Sequence, residues 1–108
     1  MQELKVAYAG CHARTLWYLE EIQYCLEAYF GYTAEAANHE VVTSQRLRDL
    51  VASGNERLMW HLLPTELAFK VAKDRNPGMR QISEETAAEY QAKRYRNVPP
   101  RAPGARAE

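Results

Sequence analysis

The chain has 108 residues, the size of one ordinary domain with no room for a second independent core. Fourteen Lys and Arg balance fourteen Asp and Glu, which excludes a protein drawn to nucleic acid or to an acidic membrane by net charge alone. With 46% hydrophobic and 10% aromatic residues, the chain has enough apolar surface to offset the entropy of folding, and a disordered chain is excluded too.

The charge is unevenly placed. Residues 1–45 carry two basic against six acidic groups and the rest carries twelve against eight, so the halves stand at −4 and +4. Opposite halves of this kind either attract across one fold or present a basic surface to an acidic partner. No apolar run approaches the roughly 18 residues of a membrane-spanning helix. Met1 to Lys5 lacks the basic and then apolar pattern of a secretory signal, so the expected compartment is the cytoplasm. Cys11 and Cys25 lie 14 positions apart, roughly 20 Å along a helix at about 1.5 Å per residue, and are expected as free thiols.

In chain order, Leu4 to Tyr8 alternates large and small side chains up to Gly10 and reads as a short strand or a frayed helical turn. An α/β fold would need further apolar strands, and only Val41-Val42 is available for one. Residues 12–30 form the clearest helix, stopped by Gly31, with Tyr18, Leu19, Ile22, Cys25, Leu26, Tyr29 and Phe30 on one broad core arc. Thr33 caps a helix that ends or bends within Asn38 to Thr43, and Thr43 or Ser44 recaps it. Leu47, Leu50 and Val51 share a helical face that runs to Ser53-Gly54, and Asn55 caps a segment holding Leu58, Met59, Leu62 and Leu63. Pro64 opens a new or kinked helix that Asn76-Pro77-Gly78 ends. Ser83, Glu84 and Glu85 start the last helix, and Lys93, Arg94 and Arg96 close it in accord with its dipole. The predicted fold is all-α: a compact bundle of four to six helical segments over residues 1–98, at most one short N-terminal strand, and a flexible Pro/Ala/Arg tail over residues 99–108.

No chemistry-bearing spacing stands out. His12, His39 and His61 have no histidine or cysteine partner at metal-ligand spacing, no glycine-rich phosphate loop or nucleophile elbow occurs, and Glu20, Glu21, Glu27 and Glu35 read as a solvated helix side. The expectation is no enzymatic activity, no metal and no cofactor.

A second apolar ridge on the first long helix carries more information. Trp17, Tyr24 and Ala28 lie within about 40° of one another, bordered by Glu20 and Glu27 on one side and by Arg14 and Glu21 on the other. A helix with two apolar stripes buries both, the second under another helix of the fold or under another molecule. Trp and Tyr ringed by charge are the composition of an interface hot spot, so Trp17, Glu20, Glu21, Tyr24 and Glu27 are the candidate partner-binding residues. The expected function is that of a small non-enzymatic cytoplasmic regulator or adaptor acting by protein–protein binding. A homodimer, or a bacterial or phage-encoded inhibitor of a host protein, fits the same description.

The alternative is transcriptional. Thr33-Ala34-Glu35-Ala36-Ala37, then Val42-Thr43-Ser44, then Leu47 to Gly54 resembles the helix-turn-helix of excisionase-like and MerR-like DNA-binding domains over residues 33–54. The resemblance implies that Ser44, Gln45, Arg46 and Arg48 face DNA, with Gln suited to adenine and Arg to guanine or phosphate. Lys93, Arg94, Arg96, Arg101 and Arg106 would supply further phosphate contacts. Val41 stands where the motif has glycine and Glu40 where it has leucine, and a buried unpaired glutamate would cost several kcal/mol.

Overall fold

In the computed structural model, which describes residues 2–52 and 54–101, the stretch 11–30, free of Gly and Pro, holds the longest helix. We number the helices α1 (Leu4–Ala7), α2 (Ala13–Tyr29), α3 (Ala34–Thr43), α4 (Gln45–Ala52), α5 (Glu56–Trp60), α6 (Pro64–Arg75) and α7 (Glu84–Lys93), followed by a 3₁₀ turn at Tyr95–Asn97. The fold is an all-α bundle, as its sequence predicts; α1 and α5 are single turns, which leaves five longer helices. No helix of the described residues is long and apolar enough to cross a membrane.

α2 is the hub. Its first turn is capped by His12, whose backbone is extended and whose Nδ1 accepts from the Arg14 N–H at 3.0 Å, taking the place of the usual hydroxyl or carboxylate. Past its end, Gly31 turns the chain at φ 78°, a left-handed conformation that a Cβ disfavours. Tyr18, Leu19, Ile22, Cys25 and Leu26 are completely buried. α3 and α6 flank them with Ala37 and Val41 and with Leu67, Ala68, Val71 and Ala72, where the alanines leave no side chain to hold the helices apart.

The N-terminal segment is a helical turn and not a strand. An isolated strand would leave its ladder groups unpaired, whereas here the Asn38 side chain both accepts from the Gln2 N–H and donates to the Gln2 carbonyl. Leu4 and Tyr8 are buried, and the Tyr8 hydroxyl donates to the Val41 carbonyl at 2.6 Å.

Thr33 caps α3 as expected, accepting from the Ala36 N–H at 3.1 Å. The helix then runs unbroken through the mixed stretch to Thr43, because its buried Glu40 meets the Arg75 guanidinium at 3.1 and 3.4 Å. Ser44 alone separates α3 from α4 and recaps the chain, its Oγ accepting from the Leu47 N–H at 3.3 Å. The expected stop at Ser53 lies outside the described residues. Asn55 precedes α5 but does not cap it: its φ and ψ of −93° and 21° are not the extended values that aim a side chain at the helix amides. Pro64 occupies the first position of α6, where its missing N–H costs nothing. The N–H of the preceding Leu63 is taken by the Glu66 carboxylate at 2.8 Å. Ser83 caps α7 through the Thr86 N–H at 3.1 Å.

The segment expected as a free tail is attached at its start. The Pro99 carbonyl accepts from Arg14, and Arg101 donates to the Trp60 carbonyl at 2.8 Å. Residues 102–108 of that expectation lie outside the described residues.

Buried acids that stay protonated set a pH limit. Burial pushes the Tyr8 hydroxyl up from 10.0 to about 12 and the Cys25 thiol up from 9.0 to about 12. Both groups are held neutral in the fold and ionise earlier once unfolded, so their contribution is complete below about pH 9 and is lost as the pH rises toward 12. Denaturant melts should therefore give near-constant stability from pH 7 to 9 and a progressive fall above it, smaller in Tyr8→Phe. Undiminished stability at pH 11.5 would contradict this assignment.

Candidate partner-binding site

The second ridge of α2 is only partly covered from within the chain, with Tyr24 36% exposed and Ala28 exposed as well. Trp17 is half-buried, with its ring edge-on to Tyr18 at 5.7 Å and to Tyr95 of the 3₁₀ turn at 5.9 Å. Glu21 is 7% exposed. Its Oε1 accepts from the Tyr90 hydroxyl and from Arg94 Nε, both at 2.8 Å, and its Oε2 accepts from Arg94 Nη2 at 2.9 Å. The same guanidinium lies 3.6 Å over the ring of Tyr24, a stacked and paired arrangement that suits Arg and not Lys. Burial, then the neighbouring Cys25 thiol and the bond to Glu21, hold the Tyr90 hydroxyl far above its ordinary range, and the Glu21 bond does the same for Arg94.

The charged border drawn through Arg14 and Glu21 is thus interior, and Glu21 belongs to no solvated face. Two-point contact with Arg94, together with Tyr90, makes its burial tolerable. Arg14, 6% exposed, is similarly enclosed: its Nη atoms donate to Pro99 and to the Tyr95 hydroxyl, and its guanidinium lies 5.6 Å from the Tyr18 ring and 5.7 Å from Trp60. Of the five residues that sequence groups as partner-binding, the fold brings Trp17, Glu21 and Tyr24 together against Tyr95 and Arg94, with Tyr24 still exposed. Glu20 and Glu27 remain exposed beside them. The Glu20 carboxyl is raised, first by partial burial and then by its neighbour Glu21.

The residues aligned with a DNA-reading helix are also engaged. Gln45 donates to Asp49 at 2.7 Å, Arg46 makes two 2.8 Å bonds to Asp74, and Arg48 donates to the Val42 carbonyl at 2.7 Å while covering the Tyr8 ring. Ser44 forms the junction. A one-residue junction is shorter than the roughly three or four residues of a helix-turn-helix, and Glu40 at the leucine position is paired with Arg75 and not free. Arg94, counted with the auxiliary basic group, is spent on Glu21.

A different surface is open. Between α4, α5 and α6 runs a groove of about 460 Å³ whose apolar floor and walls are Leu50, Leu58, Leu62 and Leu67, with Arg46, Asp49, Asn55 and Lys70 as its polar lining. Leu58 is 57% exposed. The sequence gathers Leu58 with Met59, Leu62 and Leu63 in one segment without saying which of them is buried. Between Gly54 and Pro64 the helix α5 runs only from Glu56 to Trp60, and the four apolar side chains do not share one buried side. Only Met59 of the four is fully buried. Among the described residues no group of three or more His, Cys, Asp or Glu is placed to hold a metal ion, and Cys11 and Cys25 are unbonded.

Comparison with known proteins finds no matching family model, no matching curated protein and no matching solved structure.

Because Trp17 packs against Tyr18 and Tyr95 and the Tyr24 ring lies against Arg94, changing both to Ala should lower folding stability by about 2 kcal/mol, less than truncating a fully buried aromatic does. Leu26→Ala, in the core arc, should do likewise. Thermal and denaturant melts check both. A double variant with an unchanged midpoint would place the ridge outside the packed interior.

Proposed function

We propose that the chain is a small non-enzymatic regulator or adaptor of the cytoplasm that works by holding an amphipathic helical segment of another protein in the groove between α4, α5 and α6. The observation that carries this reading is Leu58, a large apolar side chain exposed at the groove's edge beside Leu50, Leu62 and Leu67. Apolar side chains gathered in a concavity and rimmed by polar groups are the pattern of helix-in-groove recognition.

The rim suggests the partner's character. Arg46 is paired with Asp74 and Asp49 accepts from Gln45, whereas Lys70 enters no ion pair among the described residues. The segment that fits presents leucine-like side chains at helical spacing with a carboxylate placed for Lys70. Apolar contact supplies the affinity and the carboxylate the register. The helix-turn-helix reading has less support, since its three candidate base-reading side chains already have partners inside the chain.

Selection from a displayed library of random helical peptides tests the proposal. Enriched peptides should share apolar residues at i and i+3 or i+4 with an acidic neighbour, and should lose binding to Leu58→Asp. That change lies at an exposed position and should move stability by no more than about 0.5 kcal/mol. Peptides that bind Leu58→Asp as well as the unaltered chain, or a selection without enrichment, would refute the groove. A wild-type dimer in light scattering that Leu58→Asp converts to monomer would assign the groove to a second copy of this chain and refute the adaptor.

A further inference from the structure

On the other side of α5 from Leu58, a separate groove of about 260 Å³ is lined by Arg57, Trp60, His61 and Arg101. Three of its four residues can carry positive charge and none is a carboxylate. Arg57 and His61 are exposed, and neither side chain enters an ion pair among the described residues. Arg101 gives one N–H to the Trp60 carbonyl at 2.8 Å, which leaves the other donors of its guanidinium for something else.

Positive charge also accumulates behind the indole that forms the groove's wall. Among the described residues the buried Arg14 guanidinium, 5.7 Å from the Trp60 ring, has only neutral acceptors, the Pro99 carbonyl and the Tyr95 hydroxyl, and its Nε has no partner. His12, 3% exposed, packs edge-on to the same indole at 4.8 Å with its Nε2 unpartnered. The nearby carboxylate, Glu56, accepts from the His12 backbone N–H at 2.9 Å and forms no ion pair with these groups. A buried cation without a counter-charge is costly, and the low-dielectric wall lets its field reach the groove. Both observations, the vacant donors in front and the unneutralised charge behind, call for an anion.

We propose that the groove over Trp60 binds a small phosphate-bearing molecule. Two guanidinium forks approaching from different segments, with an imidazole beside them, fit a tetrahedral dianion; a single carboxylate would use only one fork. The volume falls below the roughly 300 Å³ at which drug-sized ligand pockets begin, so the ligand is a phosphate head with a short substituent and not a nucleotide.

The test is a titration of the full chain at low ionic strength, following the indole N–H resonance of Trp60 with inorganic phosphate, with phosphoethanolamine and with chloride at matched ionic strength. A saturable shift is expected with at least one phosphate compound and not with chloride. Arg57→Gln should weaken it about tenfold or more, the loss of one charge-assisted contact, while melting unchanged, because the Arg57 side chain makes no hydrogen bond or ion pair among the described residues. Tighter binding of phosphoethanolamine assigns an ester as ligand, and tighter binding of inorganic phosphate assigns the free ion. No saturable shift, an equal response to chloride, or undiminished affinity in Arg57→Gln would overturn the proposal.

Discussion

The fold depends on two charges that the central helix buries. Glu21 and Arg14 both lie on α2, both are almost inaccessible to water, and neither can be satisfied from α2 itself. Each is completed from the C-terminal end of the chain, Glu21 by Tyr90 and Arg94 and Arg14 by Tyr95 and Pro99. Taking an ion out of water costs several kcal/mol after relaxation. Detaching α7 and the 3₁₀ turn would break these charge-assisted contacts, so they favour the last helix and its turn lying against the Trp17 ridge. The charge asymmetry of the sequence follows from the same constraint. Glu21 with Arg94 and Glu40 with Arg75 each join the acidic half to the basic half.

Partial cover of the ridge bears on which surfaces are left. Trp17 and Tyr24 contact Tyr95 and Arg94, which leaves the aromatic side of α2 partly covered, and two of the open grooves flank the short α5. Trp60, at its end, is a structural junction. Its indole donates to Thr15 on α2 at 3.0 Å, and its carbonyl receives both Arg101 and the Tyr18 hydroxyl. Arg14, Tyr95 and Tyr18 lie in a continuous hydrogen-bonded chain that ends at that carbonyl. One turn of helix thus presents Leu58 to an apolar groove and Arg57 and His61 to a cationic one, while its remaining side chains anchor it.

Local chemistry was legible in the sequence and distant chemistry was not. The arc from Tyr18 to Phe30, the caps at Thr33 and Ser83, the start at Pro64 and the stops at Gly31 and Asn76 each depend on residues within a turn or two, and each forms as the pattern implies. The role of Glu21 depends on a residue 73 positions away and that of Glu40 on one 35 positions away. No periodicity encodes such pairs, so a glutamate on a helix reads as solvated until its arginine is seen. The same blindness hid the attachment of Pro99 and Arg101: neither offers an apolar side chain, and both are held by backbone carbonyls and guanidinium groups. The resemblance to a DNA-reading helix failed to show how Gln45, Arg46 and Arg48 are spent, because Asp74 lies on α6, beyond the motif.

A double-mutant cycle on Glu21 and Arg94 tests the central claim most directly. Denaturant melts of the unaltered chain, Glu21→Gln, Arg94→Gln and the pair give the coupling between the two residues free of their other contacts. The side chain of Arg94 is 39% exposed, which puts the expected coupling below the ~3–5 kcal/mol lost on breaking a fully buried pair. The account predicts a favourable coupling of about 1–3 kcal/mol, with each single variant clearly less stable than the parent. Additive single effects, or an unchanged Glu21→Gln, would show that α7 closes over the helix for some other reason and would contradict the account.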